Sequence, residues 1–268
     1  MSETYYLATG EIDRLRLTIL NKIYNPVTQQ FLLDGGLKPG MKVLEIGCGT
    51  GEMACWLAKQ VGPNGKVIAI DSSQAQIDIC HETAKVHGVA NVEFKVCDVT
   101  QVETLNTKFD FIFGRWILVF VPQPENAVKK LYSLLNSGGV LSYEAASMQE
   151  NGNFSYPYEP SIAAWHKIAI DFYNLLGLDA NFGLKVFKLW HDIGCKNVKA
   201  KTHQPILITP EEKSVYRLSL FTGQENFLKH KIIDENTLKA MVETFEKFER
   251  SDAIAGFFRN MLISGVKA

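Results

Sequence analysis

The sequence predicts an α/β protein built on a mostly parallel sheet with helices on both faces. Three observations predict it. Apolar runs of strand length, among them KVLEI, KVIAID and DFIFGR, alternate with stretches of helical periodicity between Lys42 and Ala146. Within the runs, successive positions are apolar, as in strands buried on both faces. Directly behind the first run, VLEIGCGTGE (Val43 to Glu52) puts three glycines into five residues, where the backbone must take positive φ or approach another group closely.

The elements follow in order. Residues 13–23 carry Leu15, Leu17, Ile19, Leu20 and Ile23 among polar residues, a helical pattern that Asn25-Pro26 is expected to end. A second short helix is expected over 28–33, closing at Gly35-Gly36. Pro39-Gly40 turns the chain into a strand at 42–46, and 52–61 is helical up to Gly62-Pro63. The beat repeats: a strand at 66–71, the N-cap residues Ser72 and Ser73, and a helix to about His87. Strands at 92–98 and 110–115 follow, then a helix over 125–135, the Gly138-Gly139 turn and a strand at 140–146. After Ala146 the rhythm changes. A loop at 150–160 precedes helices at 161–176 and 183–193, a strand at 197–208, helices at 211–221 and 234–248, and a closing strand at 257–268. The helical material is expected to cap the carboxyl ends of the strands, where open α/β sheets bind ligands.

Composition narrows the function classes. The chain has 268 residues, 46% hydrophobic and 21% charged, enough to bury a substantial core. A formal charge of −1 leaves no overall basic field to hold a polyanion, so a small molecule is the expected partner and nucleic acid is not. The start, MSETYYLATGEIDRLRL, lacks the basic opening and apolar block of a signal peptide, and no apolar run reaches the roughly 20 residues that cross a bilayer. A cytoplasmic protein without a membrane partner is expected. Cys48, Cys55, Cys80, Cys97 and Cys195 show neither CxxC nor Cys/His ligand spacing. They read as small buried residues in a reducing compartment, with no metal site and no disulfide frame.

The glycine loop carries the chemistry. A dinucleotide fingerprint is GxGxxG, whereas Gly47, Gly49 and Gly51 run GxGxG with Glu52 in the place of the last glycine. A carboxylate at a helix N-terminus suits the helix dipole and opposes a phosphate there. Glu45 adds a second negative charge, and no Gly-Lys-Ser/Thr follows, which excludes a P-loop. A loop flanked by acids suits a phosphate-free, cationic nucleoside, and S-adenosylmethionine has a sulfonium and an ammonium. Asp71 ends the second strand about twenty residues on, where a carboxylate can accept both ribose hydroxyls. Its structural alternative is helix capping, which Ser72 and Ser73 already supply. Asp98 ends the third strand, able to approach an adenine amino group with Val99 beside the ring.

In VLEIGCGTGE, VIAIDSS, VEFKVCDV and FDFIFGRWILVFVPQPENAVKKLYSLLNSGGVLSYE the chain resembles the class I S-adenosylmethionine-dependent methyltransferases, in register over about 37–146. Within that family it is most similar to bacterial small-molecule methyltransferases with an N-terminal helix before the core. The resemblance implies a Rossmann-like seven-stranded sheet in the order 3-2-1-4-5-7-6 with the last strand antiparallel. It implies Glu45, Gly47, Gly49 and Gly51 around the methionine portion, Asp71 and Ser72 at the ribose with Gln76 nearby, Asp98 and Val99 at the adenine, and Arg115 and Trp116 as the floor beneath the sulfur. The fourth strand ends Gly114-Arg115-Trp116 and lacks the Asp/Asn-Pro-Pro-Tyr signature of amino-directed enzymes, which speaks against nucleobase N-methylation.

Four regions are expected: an N-terminal helical lid (1–36), the cofactor-binding core (37–146), a helical cap or substrate region with a sheet strand near 197–208 (147–256), and the closing strand (257–268). The expected function is methyl transfer to a small-molecule acceptor by in-line displacement, in a monomer or homodimer. A noncatalytic S-adenosylmethionine-binding module and a nucleotide-dependent oxidoreductase are the alternatives. Because the methyl donor is already activated, a base is optional; Glu144 and His166 are its candidates, although a histidine placed like His166 is more often a packed core residue than a base. Tyr5 and Tyr6 are lid candidates. Tyr158, in the run Phe154, Tyr156, Tyr158, either lines the acceptor or pins a loop. His87 reads as a surface residue.

Overall fold

A computed structural model describes residues 10–148 and 153–268. In chain order the elements are α1 (Glu11–Asp34), β1 (Lys42–Ile46), α2 (Glu52–Val61), β2 (Lys66–Asp71), α3 (Gln74–His87), β3 (Val92–Val96), a 3-10 segment (Val99–Leu105) and β4 (Phe109–Arg115). A 3-10 turn (Leu118–Phe120), α4 (Pro124–Ser133) and β5 (Leu135–Ser147) follow. Next come β6 (Ser155–Tyr156), α5 (Pro160–Leu175), α6 (Phe182–Asp192), β7 (Lys196–His203), β8 (Ile206–Leu207), α7 (Pro210–Lys213), α8 (Val215–Lys229), α9 (Glu235–Glu249), β9 (Ile254–Gly256) and β10 (Arg259–Val266).

These form two units. The sheet unit comprises Val27–Ser147, Asn181–His203 and Asn260–Ala268. Its seven strands lie in the order β3-β2-β1-β4-β5-β10-β7. Pairing is parallel from β3 through β5, and β10 runs antiparallel to β7, with Ile263 opposite Ala200. Counted along the chain these seven strands give 3-2-1-4-5-7-6, the order that the family resemblance implies. Neighbouring residues of each inner strand point to opposite faces, and both faces are buried, which is why the runs are apolar throughout. Leu44, Ile68, Ile112 and Leu141 pack with Val128 and Leu131 of α4 and Val186 and Trp190 of α6. Val43, Val67, Phe111 and Phe113 pack on the other face with Leu57 and Val61 of α2 and Ile77 and Cys80 of α3. The buried Trp190 indole donates to Leu141 O at 3.0 Å, so its one polar group is satisfied.

Among the described residues, the helical unit comprises 10–26, 148, 153–180 and Gln204–Arg259. Its interior is aromatic: Phe227 meets Trp165 and Phe172 at centroid distances of 5.9 and 5.3 Å, and Tyr216 meets Phe245, Phe248 and Phe257. A three-stranded antiparallel sheet, β6-β9-β8, belongs to the same unit. Lys213 is fully buried, and its ammonium donates to Ser251 O and Ala253 O at 2.6 and 3.1 Å.

Three elements differ from the sequence expectation. Pro26 does not end the first helix; it lies inside α1, which runs unbroken to Asp34. Proline in a helix costs about 3 kcal/mol. Ile19, Leu20 and Tyr24 before it and Phe31 and Leu32 after it are buried, and each such burial contributes about 1.5–3 kcal/mol, which outweighs the cost. Gly138-Gly139 does not separate helix from strand; it falls within β5, where the register slips from Leu135 opposite Phe109 to Val140 opposite Phe111. The strand read at 197–208 is two strands in two sheets, β7 and β8. Within residues 147–256, α6 and β7 cluster with the sheet unit. Among the described residues, no helix is long and apolar enough to cross a membrane.

Candidate functional site

The strand order reverses at β1, with β2 on one side and β4 on the other, so the loops leaving β1 and β4 diverge and open a crevice at their carboxyl ends. The glycines fit that geometry. Gly47 has φ 66°, and a Cβ on it would stand 3.0 Å from Ile117 Cβ. Gly51 has φ 80° and abuts α3, where an added Cβ would stand 3.0 Å from Cys80 Sγ and 3.2 Å from its Cα. The close approaches here are therefore to the protein's own Ile117 and Cys80, contacts the local pattern did not reveal.

The loop's amides decide between ligand classes. Cys48 N donates to Ile70 O at 3.0 Å, Gly51 N to Cys48 O at 2.9 Å, and Gly49 N to Asp71 Oδ2 at 3.0 Å. A phosphate cradle needs such amides pointed at the ligand. Here three are engaged internally, one of them by a carboxylate. Asp71 Oδ1 accepts the Ser73 amide at 3.0 Å, so this side chain ties the end of β2 to the glycine loop and to the entry of α3. Ser73 caps α3 by accepting from Gln76 N.

Glu52 does less than its sequence position implied. Its carboxylate lies 2.9 Å from His87 Nε2, pairing α2 with α3 across the unit surface. His87, read as a plain surface residue, is this partner. The buried acids at the crevice are Glu45 and Asp71 instead. Glu45 is buried, and among the described residues its Oε2 has no hydrogen-bond partner. Burial raises its pKa to about 8, with Arg115 opposing the shift and Asp71 adding to it. Asp71 is raised by burial against the lowering effect of the Ser73, Gly49 and Ser72 amides. Gln76 is buried, and its Oε1 also has no partner among the described residues. Two buried acceptor oxygens without donors, beside a second carboxylate, fit a ligand bearing an ammonium and hydroxyl donors, which S-adenosylmethionine is. They fit a pyrophosphate poorly.

At the end of β3, Asp98 is exposed and caps the 3-10 segment, its Oδ1 accepting Thr100 N and Oγ1, both at 2.7 Å; Val99 beside it is buried. At the end of β4, Arg115 lies opposite Glu144 in register, and Trp116 takes φ 58°. The Arg115 guanidinium sits over the Trp116 ring at 5.2 Å. Leu118 N donates to the buried Tyr143 hydroxyl at 2.7 Å, fixing the turn that follows. Glu144 is fully enclosed; Thr28 Oγ1 and Asn260 Nδ2 donate to its two oxygens at 2.6 and 2.5 Å, and burial raises its pKa despite them. Neither Thr28 nor Asn260 was singled out from the sequence. The only signal was a polar residue at an apolar position, Asn260 before MLI and Thr28 in a helix.

Glu45, Gly47, Gly49, Gly51, Asp71, Ser72, Gln76, Asp98, Val99, Arg115, Trp116 and Glu144 all belong to the sheet unit. His166 is buried in the helical unit, its ring 5.7 Å from Phe258, and Tyr158 in the same unit is exposed. Tyr5 and Tyr6 lie outside the described residues. Among the described residues, no group of three or more His, Cys, Asp or Glu side chains could hold a metal ion.

Comparison with known proteins agrees with this geometry. A family model described as "Methyltransferase domain" matches residues 37–170. The chain is 27% identical over 170 residues to a demethylmenaquinone methyltransferase of Lactobacillus johnsonii, covering 63% of this chain and 68% of that protein. It is 30% identical over 129 residues to the same enzyme of Staphylococcus aureus, covering 48% of this chain and spanning about half, 53%, of the relative. In structure it resembles a SAM dependent methyltransferase from Aquifex aeolicus, with a TM-score of 0.53 at 15% identity over 96% of this chain and 100% of the other. That likeness establishes the fold.

Proposed function

The chain belongs to the methyltransferase-domain family, the class I S-adenosylmethionine-dependent methyltransferases, and from that premise we propose that it methylates a small-molecule acceptor by in-line displacement. The observation that carries the binding half is the joint between Asp71 and Gly49, beside the unpartnered Glu45 oxygen. In this reading Glu45 takes the ammonium, and Gly47, Gly49 and Gly51 let the backbone follow the methionine portion. Asp71, with Ser72 and Gln76, holds the ribose, Asp98 and Val99 hold the adenine, and Arg115 and Trp116 floor the reacting end. S-adenosylmethionine, when bound, supplies a methyl group already activated on sulfur. The chain's own task is then to fix and dry the acceptor, and positioning of that kind can account for several kcal/mol of barrier lowering, about 7–11 at best.

The test offers methyl-labelled S-adenosylmethionine and a small-molecule metabolite extract to the purified chain. Label should appear in one or a few extract components and fall at limiting donor with Asp71→Ala. Donor binding with no transfer to any fraction would overturn the enzymatic reading and leave a binding module.

A second reading names the acceptor as demethylmenaquinone. Its support is the similarity to the two demethylmenaquinone methyltransferases, at 27% and 30% identity. Demethylmenaquinone supplied in oxidised and in reduced form checks it directly: label in menaquinone supports it, and label confined to other components rejects it.

A further inference from the structure

We propose that Asn260, acting with Thr28 through Glu144, is a positioning residue that holds the Arg115–Trp116 corner in its working shape, and that Glu144 serves this frame instead of accepting a proton. The inference rests on the reading of that corner as the floor of the donor site.

Trp116 is held in a conformation its own sequence disfavours. A bulky side chain at φ 58° is an outlier, and such residues persist only where their surroundings over-determine them. Here the surroundings form a closed ring. Trp116 N donates to Glu144 O at 2.9 Å, and its indole Nε1 donates to Asn260 Oδ1 at 3.3 Å. Asn260 Nδ2 donates to Glu144 Oε1 at 2.5 Å, and Thr28 Oγ1 donates to Glu144 Oε2 at 2.6 Å. Arg115 Nη1 stands 3.8 Å from Glu144 Oε2 while its guanidinium lies over the indole at 5.2 Å, which closes the ring.

The chemistry of Asn260 admits one orientation. Only with Nδ2 toward the carboxylate and Oδ1 toward the indole are both contacts donor to acceptor; a flipped amide would set oxygen against carboxylate and N–H against N–H. Asn260 and Glu144 are wholly buried and Thr28 nearly so, so no water replaces a lost partner at low cost. The same enclosure argues against Glu144 as a base. Both its oxygens already accept donors, and a base must reach the proton of a bound acceptor.

Three variants test this: Asn260→Leu, Glu144→Gln and Thr28→Val. The readouts are S-adenosylhomocysteine affinity by calorimetry and the indole N–H resonance of Trp116, identified among the chain's 4 tryptophans by Trp116→Phe. If Asn260 and Glu144 position the corner, each variant moves the Trp116 resonance. Asn260→Leu and Glu144→Gln weaken binding about tenfold or more, and Thr28→Val weakens it less. A base acts on the acceptor, so its loss leaves product affinity and the indole unchanged; that pattern in folded Glu144→Gln and Asn260→Leu overturns the proposal. Should Asn260→Leu not fold, the isosteric Thr28→Val decides by the same two readouts. Failure of the unaltered chain to bind S-adenosylhomocysteine would instead reject the donor-site reading beneath the proposal.

Discussion

Asp71 and Gly49 are joined across the mouth of the sheet, the carboxylate Oδ2 accepting the loop amide at 3.0 Å. The contact makes the acid at the end of β2 part of the glycine loop. It also removes from that loop a donor that a phosphate would need.

Replacing Asp71 with Ala is therefore expected to weaken S-adenosylhomocysteine binding by about 1.5–3 kcal/mol, the range for hydrogen bonds to a charged group. Asp71→Asn should lose less, because one amide oxygen can still accept from Gly49. Calorimetric titration of both variants checks the order; equal affinity in all three proteins rejects the assignment.

The buried Glu45 is expected to make stability and binding depend on pH. Its carboxyl is raised from 4.5 to about 8. A raised acid is protonated in the folded chain over a range where the unfolded chain is ionised. Its contribution to stability is then fully present below pH 4.5 and lost as pH rises toward about 8, so the ligand-free protein should lose stability across that window. Arg115, Asp71, Cys48 and Cys55 are the groups that interact electrostatically with it. If the ammonium of the ligand needs Glu45 ionised, affinity should rise up to about tenfold from pH 6 to pH 7. Titrations in buffers of different ionisation enthalpy should register a released proton, and Glu45→Gln should abolish both effects.

Gly51→Ala places a methyl group 3.0 Å from Cys80 Sγ at φ 80°. Destabilisation of about 1–3 kcal/mol is expected from the strained backbone and the clash together. Adding Cys80→Ala should recover part of the loss, since it relieves the Sγ contact and leaves the backbone strain. Denaturant unfolding of the single and double variants measures the two shares; full recovery would show that the backbone bears no strain.

In the helical unit, Lys213→Met removes the donor to Ser251 O and Ala253 O. Leaving buried carbonyls unpaired costs about 1–3 kcal/mol, whereas Lys247→Met on the exposed face of α9 should cost close to nothing. Thermal unfolding of the two variants should separate them, and equal shifts would contradict the structural role of the Lys213 ammonium.

Most of the sheet was legible because strands buried on both faces, such as KVLEI and KVIAID, leave a local imprint, and turn residues punctuate them. Asp71 and Asp98 are singled out by the sequence for a related reason: they stand where apolar strands stop. The continuity of α1 was not, because the penalty at Pro26 is local while the burial that outweighs it is tertiary. Glu52 was over-read. Its sequence position sets its charge against a phosphate, whereas in the structure it faces His87, and it is the amides of Cys48, Gly49 and Gly51 that are engaged within the protein. The frame around Glu144 joins residues 116 positions apart on both sides, Thr28 and Asn260, and no local pattern reports such a pairing.

The central claim is that the bend after β1 receives a cationic adenosine derivative without phosphate. Parallel calorimetric titrations of the unaltered chain with S-adenosylmethionine and with NADH test it most directly. Saturable binding of the first at one site per chain, with no heat from the second, is the expected result. Saturation by NADH with S-adenosylmethionine inert would contradict it.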